Sequence, residues 1–97
     1  MDYLKYCVYI LYSLRDKKLY IGFTTDISRR FAEHQSGNSK STAARRPFRM
    51  LFCEYYLSKE DAMRREKYFK TTAGKKTIKL MLRRSFEEVE HLPEMTL

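Results

Sequence analysis

Tyr9, Tyr20, Arg30, His34 and Glu66 are polar or ionisable residues at positions where the surrounding pattern calls for inward or same-face side chains. Glu66 is the sharpest case. Ser58–Gly74 reads as one helix whose small and apolar positions are Ala62, Phe69 and Ala73, at offsets 0, 7 and 11, and Glu66 fills the inward slot at offset 4. An acid on that stripe must be paired, protonated or bound to a cation, because burying it bare is too costly. Arg30 and His34 interrupt a second inward stripe, Ile27, Arg30, Phe31, His34. Singly, each misfit has a plain structural explanation: a Tyr pair is cross-strand packing, an Arg snorkels, a core His is hydrogen-bonded, an inward Glu is salt-bridged. Together they supply what phosphodiester hydrolysis needs: a base for water, a cation at the phosphate and a neutraliser of developing negative charge.

The elements that must position them follow from local pattern. Residues 6–14 are aromatic and β-branched and read as a strand. Arg15-Asp16-Lys17-Lys18 is a turn, and Leu19–Thr24 is a second strand, so the two form a hairpin. Alternation puts Tyr9 with Cys7 and Leu11 on one face, and an even-length turn sets Tyr9 across from Tyr20, with Gly22 leaving backbone open beside them. Thr24-Thr25-Asp26 supplies a cap and a first-turn acid for a helix running to about Ser36, where Gly37 ends it. Residues 36–47 read as a flexible basic loop suited to phosphate. Phe48–Leu57 is a third strand, Ser58 caps the Glu66 helix and Gly74 closes it. Lys75–Arg84 is a basic helix with an apolar side of Ile78, Met81 and Leu82. The expected architecture is α+β, with order β-β-α-β-α-α and a three-stranded antiparallel sheet flanked by helices. The expected division is a domain over residues 1–85 and a loosely held acidic tail over 86–97.

A chain of 97 residues supports one domain with a modest core. All 20 Lys and Arg fall before residue 85 and four of the 12 acids after it, so residues 1–85 carry a net +12. Such a field suggests a polyanion partner, most simply nucleic acid. No apolar run approaches membrane-spanning length and no secretory signal is visible, which leads to the expectation of a cytoplasmic protein with no membrane role. Cys7 and Cys53 are too far apart in sequence for a Cys-x-x-Cys motif and are expected to be small buried hydrophobes in strands.

At these residues the sequence resembles the GIY-YIG nuclease family, in the form of small standalone members related to the N-terminal nuclease domain of a repair excinuclease. The first motif reads Cys7-Val8-Tyr9 and the second Tyr20-Ile21-Gly22, with ten residues between the tyrosines. Arg30 follows Gly22 by eight residues, and His34 follows Arg30 by four. Arg64-Arg-Glu-Lys-Tyr-Phe-Lys70 resembles the family's metal-binding glutamate helix. The ordered set covers residues 6–84. Three positions depart from the pattern: Cys7 replaces the first Gly, Phe23 stands where some members carry Lys, and Asn38 is the only Asn, so none follows Glu66.

The resemblance implies one divalent ion, Mg²⁺ or Mn²⁺, with Glu66 as its sole protein ligand. It implies Tyr9 as general base, Tyr20 and His34 as orienting or relaying groups, and Arg30 as the neutraliser of transition-state charge. An unperturbed Tyr has a pKa near 10, so Tyr9 would need activation. Arg45, Arg46, Arg49, Lys70, Lys75 and Lys76 are candidate phosphate contacts, which position a duplex without reading its sequence. The expected function is a metal-dependent endonuclease acting on DNA, structure-selective or nonspecific, in repair or processing. The alternative is a catalytically weak nucleic-acid-binding module on the same fold. A third possibility is a small basic protein that docks on an acidic partner, with Glu66 in a structural ion pair.

Overall fold

The computed structural model describes residues 4–93, so Glu94 and the rest of the expected tail beyond Pro93 lie outside the described residues. Three strands, β1 (Tyr6–Ser13), β2 (Leu19–Thr24) and β3 (Phe48–Tyr56), form one antiparallel sheet in the order β2-β1-β3. Four helices accompany it: α1 (Ile27–Ser36), α2 (Lys59–Phe69), α3 (Thr72–Met81) and α4 (Arg83–Glu88), with 3-10 turns at Ala43–Arg45 and Val89–His91. The expected α+β architecture is the observed one.

β1 is the central strand and is apolar on both faces, with Cys7 to Ser13 all buried. That near-continuous run is what two-sided coverage demands. On one face Val8, Ile10 and Ile21 pack against Ala62 and Phe69 of α2, Ile78 of α3 and Leu82. On the other, Cys7, Tyr9, Leu11 and Phe48 pack with Tyr20, Met50 and the α1 residues Ile27 and Phe31. Helices therefore cover both faces: α1 on the tyrosine side, α2 and α3 on the other. Each large side chain fully buried in these layers contributes about 1.5–3 kcal/mol.

The hairpin register refines the expected pairing. Tyr9 faces Gly22, and Tyr20 faces Leu11. The even turn preserves the shared face, but Tyr20 is a diagonal neighbour of Tyr9, with ring centroids 6.2 Å apart. The reason is that Tyr9 lies across Gly22: a Cβ there would come within 2.4 Å of the Tyr9 ring and hydroxyl. β3 is an edge strand, and its Cys53 is exposed rather than buried, whereas Cys7 is fully enclosed.

The largest departure lies in the second half. Residues 58–74 are not one helix. α2 ends at Phe69, and Thr71 caps a new helix by accepting from the Gly74 N–H at 2.9 Å. Thr71 also donates to the Tyr68 carbonyl at 2.6 Å, tying the end of α2 to the start of α3. Gly74 is thus in the first turn of α3, not at a helix end. A Cβ on it would lie 1.9 Å from the Tyr68 carbonyl oxygen, so only glycine permits this close crossing. The break turns Ala73 outward into solvent. The basic helix likewise ends at Met81, which is exposed, and a short α4 follows.

The segment after residue 85 is also more closely held than its charge suggests. Phe86 packs on the α2–α3 side of the core, Val89 is buried, and Glu90 accepts from the Tyr12 hydroxyl and pairs with Lys17 at 3.1 Å. Two apolar anchors and one acid opposite the hairpin turn outweigh the mean composition of the stretch. No helix among the described residues is long and apolar enough to cross a membrane.

Candidate active site

Tyr9, Tyr20, Arg30 and His34 come together between the sheet and α1. α1 is set by Asp26, whose side chain accepts from the Arg29 N–H at 3.1 Å, and ends at Gly37 with φ 86°. One helical turn separates Arg30 from His34, so both look at the sheet. His34 is fully buried, and its Nε2 lies 2.9 Å from the Tyr9 hydroxyl. Its ring stands 4.8 Å from that of Tyr20 and meets Phe48 edge-on at 6.0 Å. On its other side, Nδ1 lies 2.9 Å from Thr42 Oγ1.

The electrostatics of this pocket are internally consistent. Burial, then the Tyr20 phenol, pushes the Tyr9 hydroxyl up to about 12, against a smaller opposing pull from Arg30. Burial and the adjacent Arg30 cation hold His34 below its ordinary value, so it is neutral near pH 7. Arg30 donates to Glu33 Oε1 at 2.8 Å, and this bond, with the Tyr9 and Tyr20 hydroxyls nearby, raises its pKa further. A permanent cation, a neutral imidazole and two phenols therefore share one small volume. Tyr9 is the inner phenol at 1% exposure, while Tyr20 and Arg30 are half-buried at the mouth.

Glu66 is placed differently. It rides on α2, in the layer across the sheet from α1, and is partly exposed. Its Oε2 accepts from Lys70 Nζ at 3.1 Å. Among the described residues, no hydrogen bond or ion pair joins Glu66 to Tyr9, Tyr20, Arg30 or His34, and Oε1 has no partner. It borders a shallow surface concavity with Met63, Arg64, Lys67 and Lys70. No group of three or more His, Cys, Asp or Glu positioned for a metal exists among the described residues. A single, partly hydrated carboxylate fits a hard cation that keeps most of its waters, not a zinc-type cage.

The candidate phosphate contacts divide in the same way. Arg45 is committed to the fold: it donates to Asp16 at 2.6 Å and to the Leu19 carbonyl at 3.1 Å, and lies over the Phe48 ring. This pair holds the Asp16 carboxyl at about 2. Arg49 donates to the Pro93 carbonyl at 3.3 Å, and Lys70 is held by Glu66. Arg46 is exposed, although its Nε donates to the Ala43 carbonyl at 2.7 Å. Lys75 and Lys76 are exposed on α3 and, among the described residues, form no ion pair.

The sequence reading missed Thr42. It sits in the segment expected to be flexible and phosphate-binding, yet it is fully buried and is the second partner of His34. Ser39, 8% exposed, holds it: its carbonyl accepts from the Thr42 and Ala43 N–H groups at 3.1 and 2.9 Å. The Ser39 hydroxyl in turn accepts from Arg30 at 3.4 Å. No periodic pattern marks such residues in a polar stretch; a Thr among Ser, Lys and Arg looks solvated.

Comparison with known proteins fits this geometry. A family model described as the GIY-YIG catalytic domain matches residues 5–79. A UPF0213 protein of Staphylococcus haemolyticus is 38% identical over 78 residues, spanning 79% of this chain and 94% of that one. A UPF0213 protein of Clostridium perfringens is 31% identical over 93% of this chain and 97% of its own length. The solution NMR structure of a UPF0213 protein from Bacillus halodurans shares the fold at 34% identity and a TM-score of 0.55, covering 93% of this chain and 98% of that one. With both tyrosine motifs on paired strands and Arg30 and His34 facing them from α1, the chain belongs to the GIY-YIG family, a nuclease domain family whose substrates are nucleic acids.

Proposed function

We propose that this protein is a divalent-metal-dependent endonuclease that hydrolyses phosphodiester bonds in DNA. The observation that carries the reading is the 2.9 Å contact between the Tyr9 hydroxyl and His34 Nε2 beside Arg30. A phenol pushed up to about 12 yields almost no free phenolate at neutral pH. Tyr9 can still act as a base if it gives its own proton to His34 while taking one from the attacking water. His34, kept neutral by burial, is in the correct state to accept it. Arg30 then neutralises charge on the phosphate, a role that competes with its bond to Glu33. Tyr20, at the mouth, orients the water and the phosphate. Glu66 would hold the metal, Mg²⁺ or Mn²⁺, which supplies Lewis-acid stabilisation of the leaving oxygen.

Arg46, Lys75 and Lys76 are the exposed cations best suited to grip the backbone, with Arg49 and Lys70 available only by giving up their present partners. Such contacts make binding salt-sensitive and structure-selective or nonspecific. The nuclease site falls within residues 1–85, with 86–97 as the acidic tail, and the setting is DNA repair or processing in the cytoplasm.

One observation favours a second reading, a nucleic-acid-binding module with weak activity: Glu66 is paired with Lys70 and not joined to the tyrosine site. Nicking of supercoiled plasmid with Mg²⁺ or Mn²⁺ separates the two. The nuclease reading predicts nicking that chelation abolishes and that Arg30→Ala lowers about 10²–10³-fold, the range for removing one charge-stabilising donor. Intact DNA binding without cleavage of any nicked, flapped or damaged substrate supports the second.

A further inference from the structure

Tyr9 can pass its proton to His34 only if Nε2 is bare. In a neutral imidazole this requires the proton to sit on Nδ1, and nothing in the ring itself enforces that choice. The surroundings of His34 do. Arg30 has only donors to offer, and its positive charge acts on the Tyr9 hydroxyl. A phenol between a guanidinium and an imidazole directs its own proton to the imidazole. On the opposite side the Thr42 hydroxyl is fully buried, 2.9 Å from His34 Nδ1, and its other neighbour is the Ser39 carbonyl oxygen at 3.4 Å. That carbonyl can only accept, so a Thr42 proton directed to it, beside the two N–H groups it already takes, leaves the Thr42 oxygen to accept from His34.

We propose that Thr42 is a positioning residue that fixes His34 in the Nδ1–H tautomer and so keeps Nε2 open to the Tyr9 proton. The inference rests on the nuclease reading for its consequence, but not for its structural content. The chain of donors runs one way: Tyr9 to His34 Nε2, His34 Nδ1 to Thr42, Thr42 to Ser39. When Tyr9 accepts a proton from water and releases its own, that proton ends on Nε2. The Nδ1 proton stays in its bond to Thr42, and the resulting imidazolium keeps a partner on each nitrogen. Thr42 touches no substrate in this scheme. The loop that carries it also holds Arg30 through the Ser39 hydroxyl, so one turn of chain orients both the proton acceptor and the cation.

The test uses the full chain with ¹⁵N-labelled histidine. Long-range ¹H–¹⁵N spectra distinguish the two tautomers, and exposed His91 serves as the reference ring. The expected result is a parent His34 protonated on Nδ1. Thr42→Val, which keeps the shape and removes the hydroxyl, moves the proton to Nε2. It also lowers the nicking rate about 100-fold with KM unchanged, the low end of what a positioned base contributes. Thr42→Ser restores both. A parent His34 protonated on Nε2 overturns the proposal without any variant, so a valine variant that fails to fold does not shelter it. So does a folded Thr42→Val chain that keeps the parental tautomer and rate. A parent chain with the expected tautomer that nicks no substrate removes the nuclease reading while leaving the tautomer assignment standing.

Discussion

The two sides of the sheet treat their ionisable residues in opposite ways. On the α1 side, His34 and Tyr9 are buried, bonded to each other and shifted away from their ordinary proton affinities. On the α2 side, Glu66 is partly exposed and, among the described residues, makes a single side-chain bond, to an exposed lysine. In the proposed function the difference would match two tasks. A proton relay needs fixed partners in a dry setting, where misplacement by an ångström is costly. A ligand for a hydrated divalent ion needs an accessible carboxylate, because the ion brings its own waters. If the comparison is sound, changes on the α1 side should remove chemistry, and changes on the α2 side should alter the metal or DNA requirement.

The largest expected effect is Tyr9→Phe. It should lower plasmid nicking about 10²–10⁴-fold. Its thermal midpoint should fall by the equivalent of about 1–3 kcal/mol, because the ring packing is kept but the buried His34 Nε2 loses its donor. A rate within threefold of the parent would show that the buried phenol is not in the reaction.

Next comes the pH dependence of folding. His34 has an ordinary value of 6.5 and is lowered by burial first and by Arg30 second, with Glu33 opposing. The unfolded chain therefore binds more protons than the folded one as pH drops below about 6.5, so this stability is complete above that pH and is lost as pH falls. Denaturant titrations should show stability declining as pH falls from about 6.5 toward the carboxylate range, with a shallower decline in His34→Gln. Asp16, Glu33 and Glu90 are lowered carboxyls and shift stability at more acidic pH, outside that window. Equal slopes for parent and variant would show that the imidazole is not held neutral.

A smaller effect probes the other side of the sheet. Lys70 occupies the carboxylate that the metal would use. Lys70→Ala should lower the half-saturating Mn²⁺ concentration about twofold, in keeping with the few tenths of a kcal/mol of an exposed i,i+4 pair. An unchanged metal titration would place the ion elsewhere. Smaller still, replacing both Lys75 and Lys76 by Ala should flatten the dependence of log K on log salt by about 2, near one unit per phosphate contact.

Much of this was readable from the sequence, and the failures share a cause. Strand alternation correctly put Tyr9, Tyr20 and Gly22 on one face, because period-2 geometry is local. Gly37 marked the end of α1 for the same reason, whereas Asp26, expected as a first-turn acid, is the cap itself and the first turn holds no acid. The break at Lys70–Thr71 was missed because Gly74 is most simply a helix stop, and only the crossing of α2 and α3 makes it a first-turn contact residue. Ala73 was misassigned inward as a consequence. Thr42 was invisible because burial of a polar loop residue depends on what folds over it, here His34 and Ser39. Arg45 shows the converse: its charge suggested a nucleic-acid contact, yet Asp16 on the hairpin turn engages it.

The central claim is that the relay on one side of the sheet and the carboxylate on the other act on one phosphate. A double-mutant comparison of Tyr9→Phe, Glu66→Gln and the combined variant in plasmid nicking tests it most directly. Residues that work as a unit are strongly non-additive. The account predicts that each single variant is severely impaired and that the double variant is no slower than the worse single one. Losses that multiply, or a Glu66→Gln chain that nicks at the parental rate in the same metal, would contradict it.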